Sequence, residues 1–238
     1  MLLIQILAIL PFFAAAQDSA PEGLIAASTA QCPPVHLIVA RASGERPGEG
    51  IISSLSNAIK QAVPGSTSEA LNYPAKMPYS GSIPVGVTNL KAAIARYTQQ
   101  CPSGKLVLLG YSQGGAVITD TLCGGGGKEV GPATPGLTAE EGRLIKAVVS
   151  MGDPRFVPGM SYDKGTNKNK GGVAERNRAA APCPVWASRM VSYCDANDSR
   201  CASGSSLEVH KTYTERYNNQ AKAFVLEKLQ DARPLGGS

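Results

Sequence analysis

Gly110-Tyr-Ser-Gln-Gly114 is the stretch of this chain best suited to chemistry. It follows the short apolar run Lys105-Leu-Val-Leu-Leu109 and precedes Gly115-Ala-Val-Ile-Thr-Asp-Thr-Leu122, which contains no proline. The order predicts strand, sharp turn, helix. A serine on such a turn is lifted clear of the sheet, and glycines two residues to either side let strand and helix approach each other, so Ser112 reads as a nucleophile on an elbow. The backbone N–H of the next residue, Gln113, then faces the place where an oxyanion would form.

A hydroxyl becomes a useful nucleophile when a base takes its proton, and histidine has the right pKa near neutrality. The chain has two histidines. His36 lies inside an apolar run and precedes the serine, whereas the elbow folds use the order serine, acid, histidine. His210 sits in the polar stretch Ser203-Gly-Ser-Ser-Leu-Glu-Val-His210 and becomes the base by elimination. Four aspartates, Asp153, Asp163, Asp195 and Asp198, lie between serine and histidine on expected loops. Residue types alone leave the choice among them open.

The surrounding elements alternate. Val35–Arg41, Glu69–Tyr73, Lys105–Leu109, Leu144–Met151 and Ala187–Tyr193 read as strands; helices are expected from Ile51 to Ala62, from Val87 to Tyr97, after the elbow, and from Tyr217 to Leu229. Strands alternating with helices imply a parallel sheet covered on both faces, with active loops at its carboxyl edge. The four glycines Gly124–Gly127 follow a helix and lack the Lys-Ser/Thr of a phosphate loop, so they read as a flexible connector. Residues Arg155–Pro184 show no apolar period and read as a long solvated excursion carrying Lys164, Lys168, Lys170, Arg176 and Arg178.

Residues 1–16 are apolar and uncharged and end in Ala14-Ala-Ala16, as a secretory signal does; they are too short to span a membrane comfortably. Residues 17–31 read as a flexible leader and 32–238 as one domain built around the elbow serine, since about 220 residues suffice for a single α/β core. The net charge of +5 is scattered, with no basic stripe interleaved with aromatics, so neither nucleic acid nor membrane is an expected partner. Six cysteines, Cys32, Cys101, Cys123, Cys183, Cys194 and Cys201, form an even set in an exported chain, which predicts three disulfides. No Cys/His spacing suits a structural metal, and no cofactor is expected.

Gly110-Tyr-Ser-Gln-Gly114, Asn72-Tyr-Pro-Ala75, Gly152-Asp-Pro154 and Tyr193-Cys-Asp-Ala-Asn-Asp-Ser-Arg-Cys201 together resemble the fungal cutinase and acetylxylan esterase family, carbohydrate esterase family five. The likeness runs from about Cys32 to Leu229. It implies a three-layer αβα sandwich with a five-stranded parallel sheet, an active serine open to solvent, Asp198 as the acid, and His210 as the base. Ala40-Arg-Ala-Ser-Gly-Glu45 resembles the family's oxyanion loop, which implies Ser43 as the second oxyanion donor beside Gln113. Implied too are the pairings Cys32 with Cys101 and Cys194 with Cys201, which leave Cys123 to Cys183.

The expected function is that of a secreted, monomeric serine esterase acting on a plant cell-wall ester, acetylated xylan ahead of cutin. Asn72-Tyr-Pro-Ala75 and Tyr193-Cys-Asp-Ala196 are more similar to the acetylxylan esterases, and a rim drawn from Lys76-Met-Pro-Tyr-Ser-Gly-Ser82 and Ser203-Gly-Ser-Ser-Leu-Glu-Val209, mostly small and polar through Ser80, Ser82, Ser205 and Ser206, would suit an acetyl group on a hydrated sugar. A catalytically silent wall-binding protein is the alternative of another class, and intact Ser112, His210 and acid candidates argue against it. Asn197-Asp-Ser199 is a glycosylation sequon that overlaps the implied acid and is expected to stay unmodified.

Overall fold

The structure, a computed structural model, describes residues 32–179 and 181–230; the export signal and leader expected over 1–31 lie outside them. Among the described residues eight strands and five helices follow one another. They are β1 (His36–Ala40), α1 (Ser53–Ala62), β2 (Thr67–Ala70), α2 (Ile83–Gln100), β3 (Leu106–Tyr111), α3 (Gln113–Cys123), β4 (Gly125–Gly127), β5 (Gly131–Thr134), β6 (Ile145–Met151), β7 (Asp163–Lys164), β8 (Met190–Tyr193), α4 (Leu207–Lys211) and α5 (Tyr213–Gln230).

The main sheet runs β2-β1-β3-β6-β8-β7, and every pairing in it is parallel. Along β3, Leu106 and Leu108 enter the core beneath α2 and α3, while Val107, Leu109 and Tyr111 enter the opposite core beneath α1 and α5. Both faces are therefore apolar, which is why the central strands read as continuous hydrophobic runs. Leu55 and Ile59 of α1 meet Ala221, Val225 and Leu229 of α5 on one side, and Val87, Leu90 and Ile94 of α2 meet Val117 and Ile118 of α3 on the other. Each fully buried Leu, Ile or Val contributes about 1.5–3 kcal/mol relative to exposure.

The chain leaves β1 to build β2 on one side and returns to place β3 on the other, so the order of strands reverses between β1 and β3. A crevice opens at the carboxyl ends of strands where such a reversal occurs. The loop after β1 and the turn after β3 meet there.

Three readings of the sequence need correction. The sheet has six strands rather than five, because the polar dipeptide of β7 pairs with Ser192 and Tyr193 and caps the edge; two polar residues carry no period. The second strand begins at Thr67, and Leu71–Ala75 leave the sheet to brace the site loop. Likewise β8 begins only at Met190, after a single 3-10 turn.

The glycine run and the excursion are also better ordered than expected. Gly125–Gly127 pairs with Gly131–Thr134 as an antiparallel hairpin. Arg155 and Arg176, each 5 % exposed, converge on Asp120 of α3, which is 1 % exposed, and donate onward to the Gly126 and Gly124 carbonyls. Arg176 is thus a buried structural cation rather than part of a solvated loop. Removing one member would strand a buried charge, which costs about 3–5 kcal/mol.

Cys32–Cys101, Cys123–Cys183 and Cys194–Cys201 form the three disulfides. Among the described residues no helix is long and apolar enough to cross a membrane, and no cluster of His, Cys, Asp and Glu could hold a metal ion.

Candidate active site

Ser112 sits between β3 and α3 with φ 53° and ψ −119°, a left-handed backbone that non-glycine residues avoid. Its neighbours explain how the turn is tolerated. A Cβ on Gly110 would lie 2.6 Å from the Gly114 carbonyl oxygen, and one on Gly114 would overlap the carbonyl oxygen of Ala40. The Ser112 N–H donates to Met151 of β6 at 2.7 Å, which fastens the elbow to the sheet.

His210 lies in the last turn of the short helix α4, one residue before its end, and the helix's first turn is capped by the Ser206 hydroxyl accepting the Val209 N–H. Its Nε2 is 2.9 Å from Ser112 Oγ, and its Nδ1 lies 2.9 and 3.0 Å from the two oxygens of Asp198. Room for the imidazole comes from Gly152, where a Cβ would stand 2.9 Å from His210 Cε1. Tyr111 Oη donates to the His210 carbonyl at 2.6 Å and holds the backbone beneath the ring.

Asp198 is completely buried, inside the loop closed by Cys194–Cys201. Its Oδ1 accepts the N–H groups of Arg200 and Cys201, and its Oδ2 accepts the Tyr213 hydroxyl at 2.7 Å. Burial pushes this carboxyl up, but the hydrogen bonds and charge of His210, with those from Arg200 and Tyr213, outweigh it and hold it below the ordinary carboxylate value. Burial and the Asp198 charge raise the Tyr213 hydroxyl, so it stays a proton donor. That tyrosine also accepts the Asp195 N–H at 2.8 Å and is wholly buried, a positioning role with no signature in sequence beyond its place three residues after His210.

The competing acids are engaged elsewhere. Asp195 accepts from Thr166 and Tyr217 and pairs with Arg216 at 2.8 Å. Asp153 accepts the Arg155 N–H and the Thr119 hydroxyl, and burial pushes its carboxyl up to about 6. Asp163 accepts the Met160 N–H. His36 bonds Thr67, lies near Glu69 and stacks on Tyr97, so it serves the sheet edge.

The loop after β1 reaches the serine from the other side of the crevice. Glu45 accepts the N–H groups of Ala42 and Ile51 at 2.7 Å each, and Gly44 donates to Ala75 at 2.7 Å. Arg41 donates to the Leu71 and Tyr73 carbonyls and to Glu45, while Tyr73 Oη returns a bond to the Arg41 carbonyl. Asn72-Tyr-Pro-Ala75 is therefore the buttress of this loop. Within it Ser43 Oγ is buried and has no hydrogen-bond partner. A buried hydroxyl left unpaired costs about 1–3 kcal/mol, and this one lines the same cleft as Ser112, where its hydrogen can be donated to a bound atom.

Gln113 opens α3, where the first N–H groups have no intrahelical acceptor. Its side chain is pinned by Ser82, which donates to Oε1 at 2.9 Å, and by the Lys76 carbonyl at 3.0 Å. Ser82 is 1 % exposed, so it braces this donor and does not border the opening.

Ser112, His210, Ser43, Tyr79 and Tyr111 line a cleft of about 290 Å³ whose wall also includes Ile51, Met77, Leu207, Arg200 and Lys211. Ser112 itself is 5 % exposed and is reached through this cleft instead of standing open on the surface. None of Ser80, Ser82, Ser205 or Ser206 lines it. The two stretches expected to form the rim do reach it, but through Met77, Tyr79 and Leu207 rather than through their serines, and Ile51 joins them, so the expected polar character is lost: Ile51, Met77 and Leu207 are 37, 61 and 47 % exposed. Ser205 and Ser206 spend their hydroxyls on Asn197 and the α4 cap.

The sequence profile of the cutinase family matches residues 31–229. Acetylxylan esterase 2 of Talaromyces purpureogenus is 40 % identical over 83 % of this chain and 88 % of its own length. Cutinase 11 of Verticillium dahliae is 36 % identical over 87 % of this chain and 71 % of its own. Among solved structures, the catalytic core domain of an acetyl xylan esterase from Trichoderma reesei superposes with a TM-score of 0.77 at 37 % identity, covering 83 % of this chain and all of that one. A six-stranded parallel sheet, an elbow serine at its switch point and likeness over nearly the whole described chain place this protein in the cutinase family of serine carboxylic-ester hydrolases.

Proposed function

We propose that this protein is a secreted esterase that removes acetyl groups from acetylated xylan through Ser112, His210 and Asp198. The observation that carries the reading is the unbroken chain of hydrogen bonds from buried Asp198 through the imidazole to Ser112 Oγ, whose end lies in a cleft also lined by Ser43 with its unpartnered hydroxyl. His210 Nε2 takes the Ser112 proton as Oγ attacks the ester carbonyl carbon. Asp198, acceptor for Nδ1–H, holds the tautomer that leaves Nε2 free and stabilises the imidazolium that forms. The Gln113 N–H and the Ser43 N–H and hydroxyl meet the tetrahedral oxyanion. The imidazolium protonates the departing alcohol, leaving acetyl on Ser112, and water activated by the same base releases acetate.

Acetylxylan as substrate rests on the relatives whose names carry it. The apolar wall of Ile51, Met77 and Leu207 supports a second reading, an esterase of cutin. Export rests on the apolar amino-terminal stretch and the three disulfides. Acetate release from acetylated xylan, set against monomer release from cutin, separates the two substrates. Rapid labelling of Ser112 by an organophosphonate, abolished in Ser112→Ala, tests the nucleophile, and failure to label overturns the mechanism.

A further inference from the structure

Most arginines of this fold meet a carboxylate: Arg96 meets Glu69, Arg143 meets Glu140, Arg155 and Arg176 meet Asp120, Arg178 meets Glu175, and Arg216 meets Asp195. Arg200 and Lys211 differ. Both line the cleft that holds Ser112 and His210, and neither cationic head has a hydrogen-bond or ion-pair partner among the described residues. Their backbones are nonetheless well placed: the Arg200 N–H donates to Asp198 and its carbonyl accepts from Val173 at 2.8 Å, while Lys211 directly follows His210 at the end of α4.

The cleft holds no free negative charge to neutralise them. Glu45 is the acid on its wall, and its two oxygens are occupied by the N–H groups of Ala42 and Ile51. Two unpaired cations beside a reactive serine, with the one nearby acid spent, form a receptor for an anion that arrives with the substrate. A guanidinium grips a carboxylate through two parallel N–H bonds, and an ammonium adds a point charge.

We propose that Arg200 and Lys211 form a subsite for a carboxylate carried by the substrate, so that the preferred ester is an acetylated polysaccharide bearing uronic acid groups near the acetyl. This rests on the acetyl-esterase reading given above. The polysaccharide covers the cleft as it binds, which lowers the local dielectric and strengthens the pairing beyond that of two surface charges in water.

The test compares acetate release by the full chain from matched acetylated xylo-oligosaccharides with and without a uronic acid substituent. Wild type should favour the uronate-bearing substrate in kcat/KM by about five- to tenfold at low salt, the range of one or two exposed ion pairs. At about 0.5 M salt the preference should largely vanish through screening. Arg200→Gln with Lys211→Gln should bring the ratio close to one, and Arg200→Lys with Lys211→Arg should keep much of it. Should the double glutamine variant fold poorly, Lys211→Glu alone should turn the ratio against the uronate. A wild type without preference, or a double variant that retains it, overturns the subsite. Hydrolysis of 4-nitrophenyl acetate in the same preparations reports the esterase reading separately: if wild type cleaves that ester yet treats both oligosaccharides alike, only the subsite falls.

Discussion

Asp153, Asp195 and Asp198 differ in the hydrogen bonds they make, and so in the work they do. Asp198 alone faces His210; Asp195 holds Thr166, Tyr217 and Arg216 together. Loss of an acid that orients the base costs roughly ten-thousand-fold in turnover, so Asp198→Asn should be nearly inactive. Asp195→Asn should lose thermal stability but keep most of kcat. A brisk Asp198→Asn enzyme in a 4-nitrophenyl acetate assay would sink the assignment. Asp153 makes a different prediction. Its carboxyl, raised by burial to about 6 from 3.8, keeps a proton that the unfolded chain has already released between those values. The group therefore adds stability as pH falls through that window and withdraws it above about 6. Asp153→Asn, neutral throughout and able to bond both Thr119 and the Arg155 N–H, should be more stable than wild type at pH 7, on the order of 1 kcal/mol or more. The gap should close by about pH 4, and denaturant melts across that range that show a constant gap would refute the account. At this scale the sequence was partly legible. Ser112 and His210 follow from a motif and a count, whereas Asp198 is singled out in the sequence by the family resemblance alone, because the groups that set it apart from Asp153, Asp163 and Asp195, those of Arg200, Cys201 and Tyr213, reach its oxygens only in the folded loop.

Among the elements, the ones that carry a period were readable and the ones held by distant partners were not. Strand β3 shows its burial on both faces in an unbroken apolar run, and α3 its burial in the lack of any charged face except Asp120. The excursion after β6 has no period because long-range bonds order it: Arg155 and Arg176 reach back to Asp120, and Ser203 reaches Gly171. The disulfides divide in the same way between frame and site. Cys32–Cys101 spans 69 residues and ties the start of the domain to the end of α2, whereas Cys194–Cys201 spans 7 and closes the Asp198 loop. In the chain-entropy account these are worth roughly 4 and 2.5 kcal/mol. Replacing the first pair by serine should lower the melting temperature by about 8–16 °C with kcat little changed near room temperature. Replacing the second should lower kcat by far more than its smaller stability loss suggests, because the N–H groups of Arg200 and Cys201 would no longer be held on the carboxylate. Equal effects of both pairs on kcat would contradict this division.

The whole cleft sets acyl preference, and here sequence and structure part. Serines adjacent to the site in sequence turn out to serve their own loops, while Ile51, from the loop after β1, Met77, from the stretch after β2, and Leu207, from the first turn of α4, converge on one opening. No local pattern joins these three residues; the switch point between β1 and β3 does. Burial of a methylene is worth about 0.8 kcal/mol, and against side chains that remain 37–61 % exposed about half of that is realised. Each added methylene should then raise kcat/KM roughly twofold, or about fourfold from 4-nitrophenyl acetate to the butyrate ester. Discrimination in favour of acetyl on a polysaccharide would accordingly come from recognition of the sugar, through groups such as Arg200 and Lys211, and not from a wall hostile to longer acyl chains. Met77→Ser with Leu207→Ser should flatten the acetate-to-butyrate rise while leaving the acetate value within a few-fold. A steep fall from acetate to butyrate in wild type, unchanged in that double variant, would show that the acyl chain never reaches these side chains and that the cleft selects acetate by exclusion.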